Sequence, residues 1–235
     1  AVNNEIGSIQ PIHEIAALLE DRPTISFHVD AVQALAKVAT EVYLPERVDF
    51  ATFSSHKFHG LRGVGFVYIK EGKKITPLLT GGGQEKEMRS TTENVAGIAA
   101  TAKALRLAME NQEVFASKTQ QMKEVIRKEL ANYPDVTIFF GEDHFAPHIL
   151  TFGIKGVRGE VVVHAFEEFD IYISTTSACS SKAGKPAGTL IAMGVDKSIA
   201  QTAVRLSLDL ENDMSQVEQF LTKFKLIYEQ TRKVR

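Results

Sequence analysis

The run Ser54-Ser55-His56-Lys57-Phe58-His59-Gly60 gathers two hydroxyls, two imidazoles and an amine within seven residues. It follows a predicted strand at residues 48–53 and leads into Gly60, Gly63 and Gly65. Active sites of α/β sheets lie at the carboxyl ends of strands. A lysine in that place can form a Schiff base with a carbonyl, and Ser54 and His56 can hold a phosphate. The same residues suit a solvated surface turn, and spacing alone leaves both readings open. His56 and His59 have no third ligand at zinc-like spacing, so no metal site is expected. Asp30 ends an earlier predicted strand in which Ile25, Phe27 and Val29 alternate with polar residues. A carboxylate there can pair with a protonated pyridine nitrogen. Taken alone, it reads first as the cap of a helix from Ala31. Asp30 and Lys57 on successive strand ends are more specific together than either is alone.

Cys179 is the sharpest nucleophile candidate. Its neighbours Ser177, Ala178, Ser180, Ser181, Lys182 and Lys185 are small, polar or basic rather than core-like, and the two lysines favour a thiolate. Gly81, Gly82 and Gly83 are a weak phosphate-loop signal, with a flexible hairpin tip as the default.

These residues need elements to position them. Pro11 followed by Ile12, Ile15, Ala16 and Leu19 reads as a helix. Strands at residues 25–30, 48–53 and 64–69 follow, and the alternation argues for an α/β layer with a mostly parallel sheet. Residues 94–133 are helical in pattern, with Met122, Val125, Ile126 and Leu130 on one face and Pro134 as the stop. A second α+β segment has strands at 136–140, 149–154, 171–174 and 204–208 and a helix at 160–169. Ser215 and Glu218 stand at capping-box spacing before a last helix. A boundary near residue 110 divides the chain into 1–110 and 111–235.

The 235 residues are enough for a sizeable core. At 44% hydrophobic and 24% charged, the composition excludes a disordered tail, a collagen-like repeat and a disulfide scaffold. With 27 basic and 29 acidic residues the net charge is -2, which supplies no global field for nucleic acid or an anionic membrane. No run approaches the roughly 20 apolar residues that cross a bilayer, and no charged-then-apolar leader opens the sequence. A single cysteine rules out an intramolecular disulfide, and a reducing, cytoplasmic compartment is expected.

In order along the chain, VNNEIGSIQP, HVDAVQ, SSHKFHG, GGGQEKEMRSTTEN and STTSACSS resemble the cysteine desulfurases. These are pyridoxal 5'-phosphate enzymes of the class V aminotransferase branch, and the resemblance covers residues 2–210. It implies the second half of a fold-type I large domain over 1–110, then a smaller α+β domain over 111–235 with the catalytic cysteine loop. It implies Lys57 as the Schiff-base lysine, Ser54 and His56 on the cofactor phosphate, Asp30 at the pyridine nitrogen and Gln33 at the phenolic oxygen. It further implies Asn4 near cofactor and substrate, Arg205 as the clamp on the substrate carboxylate, and Thr92, just before a predicted helix, reaching the partner subunit's cofactor phosphate in a homodimer. On the same resemblance Cys179 is expected to take sulfur from L-cysteine as a persulfide and leave alanine. The persulfide then feeds a sulfur-acceptor protein in iron–sulfur assembly or tRNA thiolation, with no direct nucleic-acid or membrane partner. Alternatives on the same scaffold are an aminotransferase or selenocysteine lyase, or a fragment that only binds partners. Family members are substantially longer, with a phosphate-binding threonine loop and a ring-stacking histidine upstream. The 235 residues alone are therefore expected to bind cofactor poorly or not at all.

Overall fold

The computed structural model describes residues 1–139, 143–176 and 188–233. The chain forms two units that share the sequence unevenly. One takes Ala1–Val2 and Gln10–Gln112; the other takes Asn3–Ile9 and the chain from Glu113 onward. Among the described residues no helix is long and apolar enough to cross a membrane.

In the first unit, α1 (Ile12–Leu18) buries Ile12 and Ala16. Strand β1 is only His28–Asp30, shorter than expected. The reason is Arg47, whose guanidinium donates to the carbonyls of Leu19, Arg22 and Ile25 at 3.0, 3.1 and 2.7 Å. Of these only Ile25 falls in the expected strand, and its N–H closes a turn on the Arg22 carbonyl at 3.1 Å, so its backbone groups serve a turn and a side chain rather than a ladder. After α2 (Thr40–Tyr43) comes β2 (Phe50–Ser54), then a 3₁₀ turn (Ser55–Phe58) and β3 (Gly65–Ile69). β1 pairs parallel with β2, in register Asp30 to Thr52, and β2 pairs antiparallel with β3. The expected sheet is thus mixed among the described strands. Only ten residues join Ser54 to Gly65, fewer than a parallel crossover needs, so the chain turns back. Buried Ala51 and Phe53 alternate along β2, and Phe53 stacks on Phe66 with ring centroids 4.7 Å apart. Helix α3 (Val95–Glu110) starts where the Asn94 side chain accepts from the Gly97 N–H at 3.0 Å.

In the second unit, α4 (Gln112–Leu130) buries Met122, Ile126 and Leu130. Val125 was expected on that face and is exposed. The sheet has order β4 (Val136–Ile138), β5 (Ile149–Ile154), β7 (Ala203–Ser207), β6 (Ser174–Thr175), with every pair antiparallel. All six residues of β5 are buried, as a central strand covered on both faces must be. Helix α5 (Gly159–Glu167) follows β5; α6 (Gly188–Ala192) and α7 (Lys197–Ala200) precede β7. Helix α8 (Met214–Lys233) closes the core with Phe220 and Phe224 against Phe152, each buried ring contributing roughly 2 kcal/mol. Its cap is not Ser215 with Glu218. Asp213 Oδ1 accepts from the Gln216 N–H at 3.0 Å, and Gln216 Oε1 accepts from the Asp213 N–H at 3.2 Å. That reciprocal pair is the capping box, two residues earlier, so Ser215 already lies inside the helix.

Candidate active site

The turn after β2 is held from beneath. Ser55 is fully buried, its N–H donates to the Val64 carbonyl at 3.0 Å, and its carbonyl accepts from the Gly60 N–H at 2.9 Å. Its hydroxyl lies 2.9 Å from Thr101 Oγ1, which donates to the Gly97 carbonyl at 2.8 Å. The Thr101 proton is therefore spent, and Ser55 is the donor to Thr101. Gly60 packs so closely that a Cβ there would stand 1.8 Å from Ser55 Oγ. His59 takes a left-handed backbone, φ 65°, to close the turn. The anchored turn presents Ser54 and Lys57 half-buried and His56 exposed.

Asp30 ends β1, the parallel neighbour of β2, so its carboxylate and the Ser54–Lys57 turn stand at the carboxyl ends of adjacent strands. One Asp30 oxygen accepts from the Val32 N–H at 3.0 Å. The expected helix from Ala31 is instead a run of tight turns, with Ala34 and Leu35 N–H groups both donating to the Ala31 carbonyl. Gln33 sits half-buried in that run, and its side-chain oxygen accepts from Lys37 Nζ at 3.3 Å. Thr92 is exposed, two residues before the Asn94 cap of α3.

Asn4 and Arg205 belong to the second unit. Arg205 lies on β7 and donates from Nη1 to the Asn4 carbonyl at 2.6 Å. Part of its guanidinium fork thus fixes the Asn3–Ile9 segment. Cys179 lies outside the described residues. Among the described residues no three His, Cys, Asp or Glu side chains gather as a metal site.

The donor set of the first unit fits a phosphorylated pyridine aldehyde. It offers a hydroxyl and an imidazole for the phosphate, an amine for the carbonyl, and a carboxylate on the adjoining strand end for the ring nitrogen. Sequence reasoning missed the support: Ser55, Gly60 and Thr101. Gly60 stood in a glycine-rich stretch, but nothing local pointed to Thr101, 46 residues away from Ser55.

Residues 1–220 match the aminotransferase class-V family. A NifS/IcsS protein homolog of Lactobacillus delbrueckii subsp. bulgaricus is 51% identical over 234 residues, 99% of this chain and 61% of that protein. The cysteine desulfurase IscS of Clostridium botulinum is 37% identical over 235 residues, 99% of this chain and 59% of that protein. A solved structure described as a NIFS-like protein superposes with a TM-score of 0.87 at 35% identity, covering 97% of this chain and 59% of its own. The chain spans about 60% of the length of these relatives.

Proposed function

The chain belongs to the class-V aminotransferase family, and on that premise we propose that it serves a cysteine desulfurase reaction with pyridoxal phosphate as cofactor. The observation that carries the reading is the Ser54–His56–Lys57 turn at the end of β2, beside Asp30 at the end of parallel β1. The identity to a NifS/IcsS homolog and to IscS supports it.

Lys57 would hold the cofactor carbonyl, Ser54 and His56 its phosphate, Asp30 its ring nitrogen and Gln33 its phenolic oxygen. When bound, pyridoxal phosphate supplies an electron sink for negative charge at the substrate α-carbon. The Lys57 amine is the base that takes the α-proton. Arg205 and Asn4 orient the substrate, the guanidinium suiting a carboxylate. The Cys179 thiolate attacks the sulfur of L-cysteine. The sulfur–sulfur bond forms as the carbon–sulfur bond breaks, its electron pair stays with carbon, and carbon takes a proton. L-cysteine and a thiol give alanine and a persulfide, with no external oxidant. On this reading residues 1–110 are the cofactor-binding half of a large domain and 111–235 the cysteine-bearing small domain. The protein acts in the cytoplasm as a homodimer, with Thr92 reaching the partner subunit's cofactor phosphate. It passes sulfur to an acceptor protein for iron–sulfur assembly or tRNA thiolation.

The test uses these residues joined to the upstream segment that the longer relatives carry, and consists of borohydride reduction after mixing with pyridoxal phosphate, followed by peptide mapping, then L-cysteine turnover. The expected label is on Lys57, with alanine released and one sulfur gained by Cys179. Cys179→Ala keeps the Lys57 label and loses the sulfur. A label at another lysine, or amino-group transfer to a keto acid with no sulfur on Cys179, refutes the reading in favour of an aminotransferase.

A further inference from the structure

In the second unit the chain leaves α5 by a tight route that opens a cleft at the edge of the sheet. The Ile171 N–H donates to the Phe166 carbonyl at 3.1 Å, and the Asp170 N–H to the Glu167 carbonyl at 3.0 Å. This pair of bonds is the Schellman motif, whose left-handed position usually takes glycine. Here it takes Asp170, with φ 57°. The residue pattern predicts a strand over 171–174, yet only Ser174 and Thr175 pair with β7. A cleft of about 200 Å³ lies between Ile171–Ile173, the end of β7 and the start of α8.

The cleft is apolar below and acidic above. Ile126, Leu206, Val217 and Phe220, all buried, line its floor, and Asp170 and Asp213, both exposed, line its rim. One oxygen of Asp170 accepts from the Tyr172 hydroxyl at 3.4 Å. One oxygen of Asp213 accepts from the Ser215 hydroxyl at 2.6 Å and the Gln216 N–H at 3.0 Å. The second oxygen of each carboxylate takes no hydrogen bond among the described residues. Tyr172 also lines the cleft and is 77% exposed, with a ring face that can meet a guanidinium or an ammonium. The two framing segments, residues 166–173 and 208–220, hold seven carboxylates and no lysine, arginine or histidine. The cations bonded to these segments meet other groups: His164 the Glu167 carboxylate, Lys223 the Phe169 ring, and Lys118 the Leu210 carbonyl.

We propose that this cleft is a docking site for a partner protein, which enters it with a basic, apolar segment. An arginine or lysine of the partner meets Asp170 and Asp213, and a neighbouring aliphatic side chain rests on the floor. Charge complementarity selects this occupant. The framing segments carry a net charge of -7, against -2 for the whole chain, so the local field draws basic chains and repels acidic ones. Two carboxylates and an exposed tyrosine around a small apolar floor are the groups that make an arginine a strong interface anchor. Size argues for a side chain too: about 200 Å³ is below the roughly 300–1,000 Å³ of sites for free small molecules. Aspartate at the left-handed position accepts a backbone that glycine takes without strain, and it sets a carboxylate on the rim. None of these residues belongs to the proposed reaction.

The experiment uses the same lengthened chain and a short probe peptide in which arginine and leucine alternate, one leucine being replaced by its photoreactive diazirine analogue. Illumination and peptide mapping should place the label on residues 170–173 or 212–220, saturating as probe is added. The double variant Asp170→Asn, Asp213→Asn should cut that label about fivefold or more. Asparagine tolerates the left-handed backbone and serves as a helix cap, so the variant keeps the fold. A probe with glutamate in place of arginine, or serine in place of leucine, should label about fivefold less or weaker still. Raising salt to about 0.5 M should weaken labelling by the basic probe. A label elsewhere, a label undiminished in the double variant, or equal labelling by the acidic probe overturns the proposal. So does the absence of a saturable label, the result expected if the upstream segment or a second copy of the chain already covers the cleft.

Discussion

Replacing Gly60 by alanine tests whether the Lys57 turn is built from beneath. The new Cβ would lie 1.8 Å from Ser55 Oγ and 3.0 Å from the Ser55 carbonyl oxygen. Ser55 has no open side to retreat into, since it is fully buried. Rotating its hydroxyl away breaks the bond to Thr101 and leaves a buried polar group unsatisfied, at about 1–3 kcal/mol. Crowding the site adds about 1–3 kcal/mol. Gly60→Ala should therefore destabilise by about 2–5 kcal/mol, read as a lower denaturation midpoint at constant slope. Ser55→Ala alone removes the hydroxyl bond for about 1–2 kcal/mol. The double variant is the decisive arm. With Oγ gone the worst overlap disappears, and the remaining approach to Ser55 Cβ is 3.1 Å. The double should cost less than the sum of the singles by about 1 kcal/mol or more. A Gly60→Ala effect within about 0.5 kcal/mol, or strict additivity, would refute the reasoning.

Three further outcomes are expected. Lys123 is 4% exposed, and burial lowers its ammonium from the ordinary 10.5 to about 8, against a raising influence of Glu124 and with some help from Arg127. Below about pH 8 both folded and unfolded chains carry this proton; from there to 10.5 only the unfolded chain does. Stability should rise across that window, on the order of 1–2 kcal/mol, and Lys123→Met should abolish the rise in pH-dependent denaturation. Burial works to raise the Asp49 carboxyl, but the Phe27 N–H at 2.8 Å, Lys73 at 3.1 Å and Arg47 at 2.9 Å outweigh it and hold it below the usual range. Its stabilisation is complete above the ordinary carboxylate range and lost as pH falls through the depressed value. Asp49→Asn should cost about 2–4 kcal/mol at neutral pH and flatten the acid limb of the stability profile. Gly7 combines φ +79° with an Ile149 Cβ that would stand 2.9 Å from an added methyl. Gly7→Ala should cost about 2 kcal/mol in thermal unfolding.

What the sequence revealed depended on how local each cause is. β2 and β3 could be read because alternation and β-branched runs are properties of neighbours in the chain. The 25–30 strand was over-read because Ile25 closes a turn on Arg22 and gives its carbonyl to Arg47, more than twenty residues on. The α8 cap was misplaced because Asp213–Gln216 and Ser215–Glu218 offer the same spacing, and only the bonds distinguish them. Val125 misled because the apolar residues of α4 span a wider arc than the face it buries. The candidate residues Asp30 and Lys57 lie at strand ends, which local pattern could flag, whereas roles for Gln33 and Thr92 came only with the resemblance to a family. Glu5 lay inside a quoted motif, but its bond from the Thr189 N–H, 184 residues distant, was not legible there.

The Asn3–Ile9 segment also bears on the order in which the protein assembles. The chain leaves the first unit after Val2, contributes seven residues to the second, and returns at Gln10. Ile6 belongs to a core whose other members, Phe139, Leu190, Ala200 and Ala203, are made more than a hundred residues later. Closing the Asn4–Arg205 contact from an open chain means closing a loop of 201 residues, an entropic cost of about 5 kcal/mol. Prior folding of residues 10–112 replaces about half of that loop with a fixed span. During synthesis the Asn3–Ile9 segment must therefore wait, exposing Ile6, until β7 has been made. A domain excised at Glu113 would lack the residue that fills this core and the Glu5 carboxylate that accepts from the Thr189 N–H in α6.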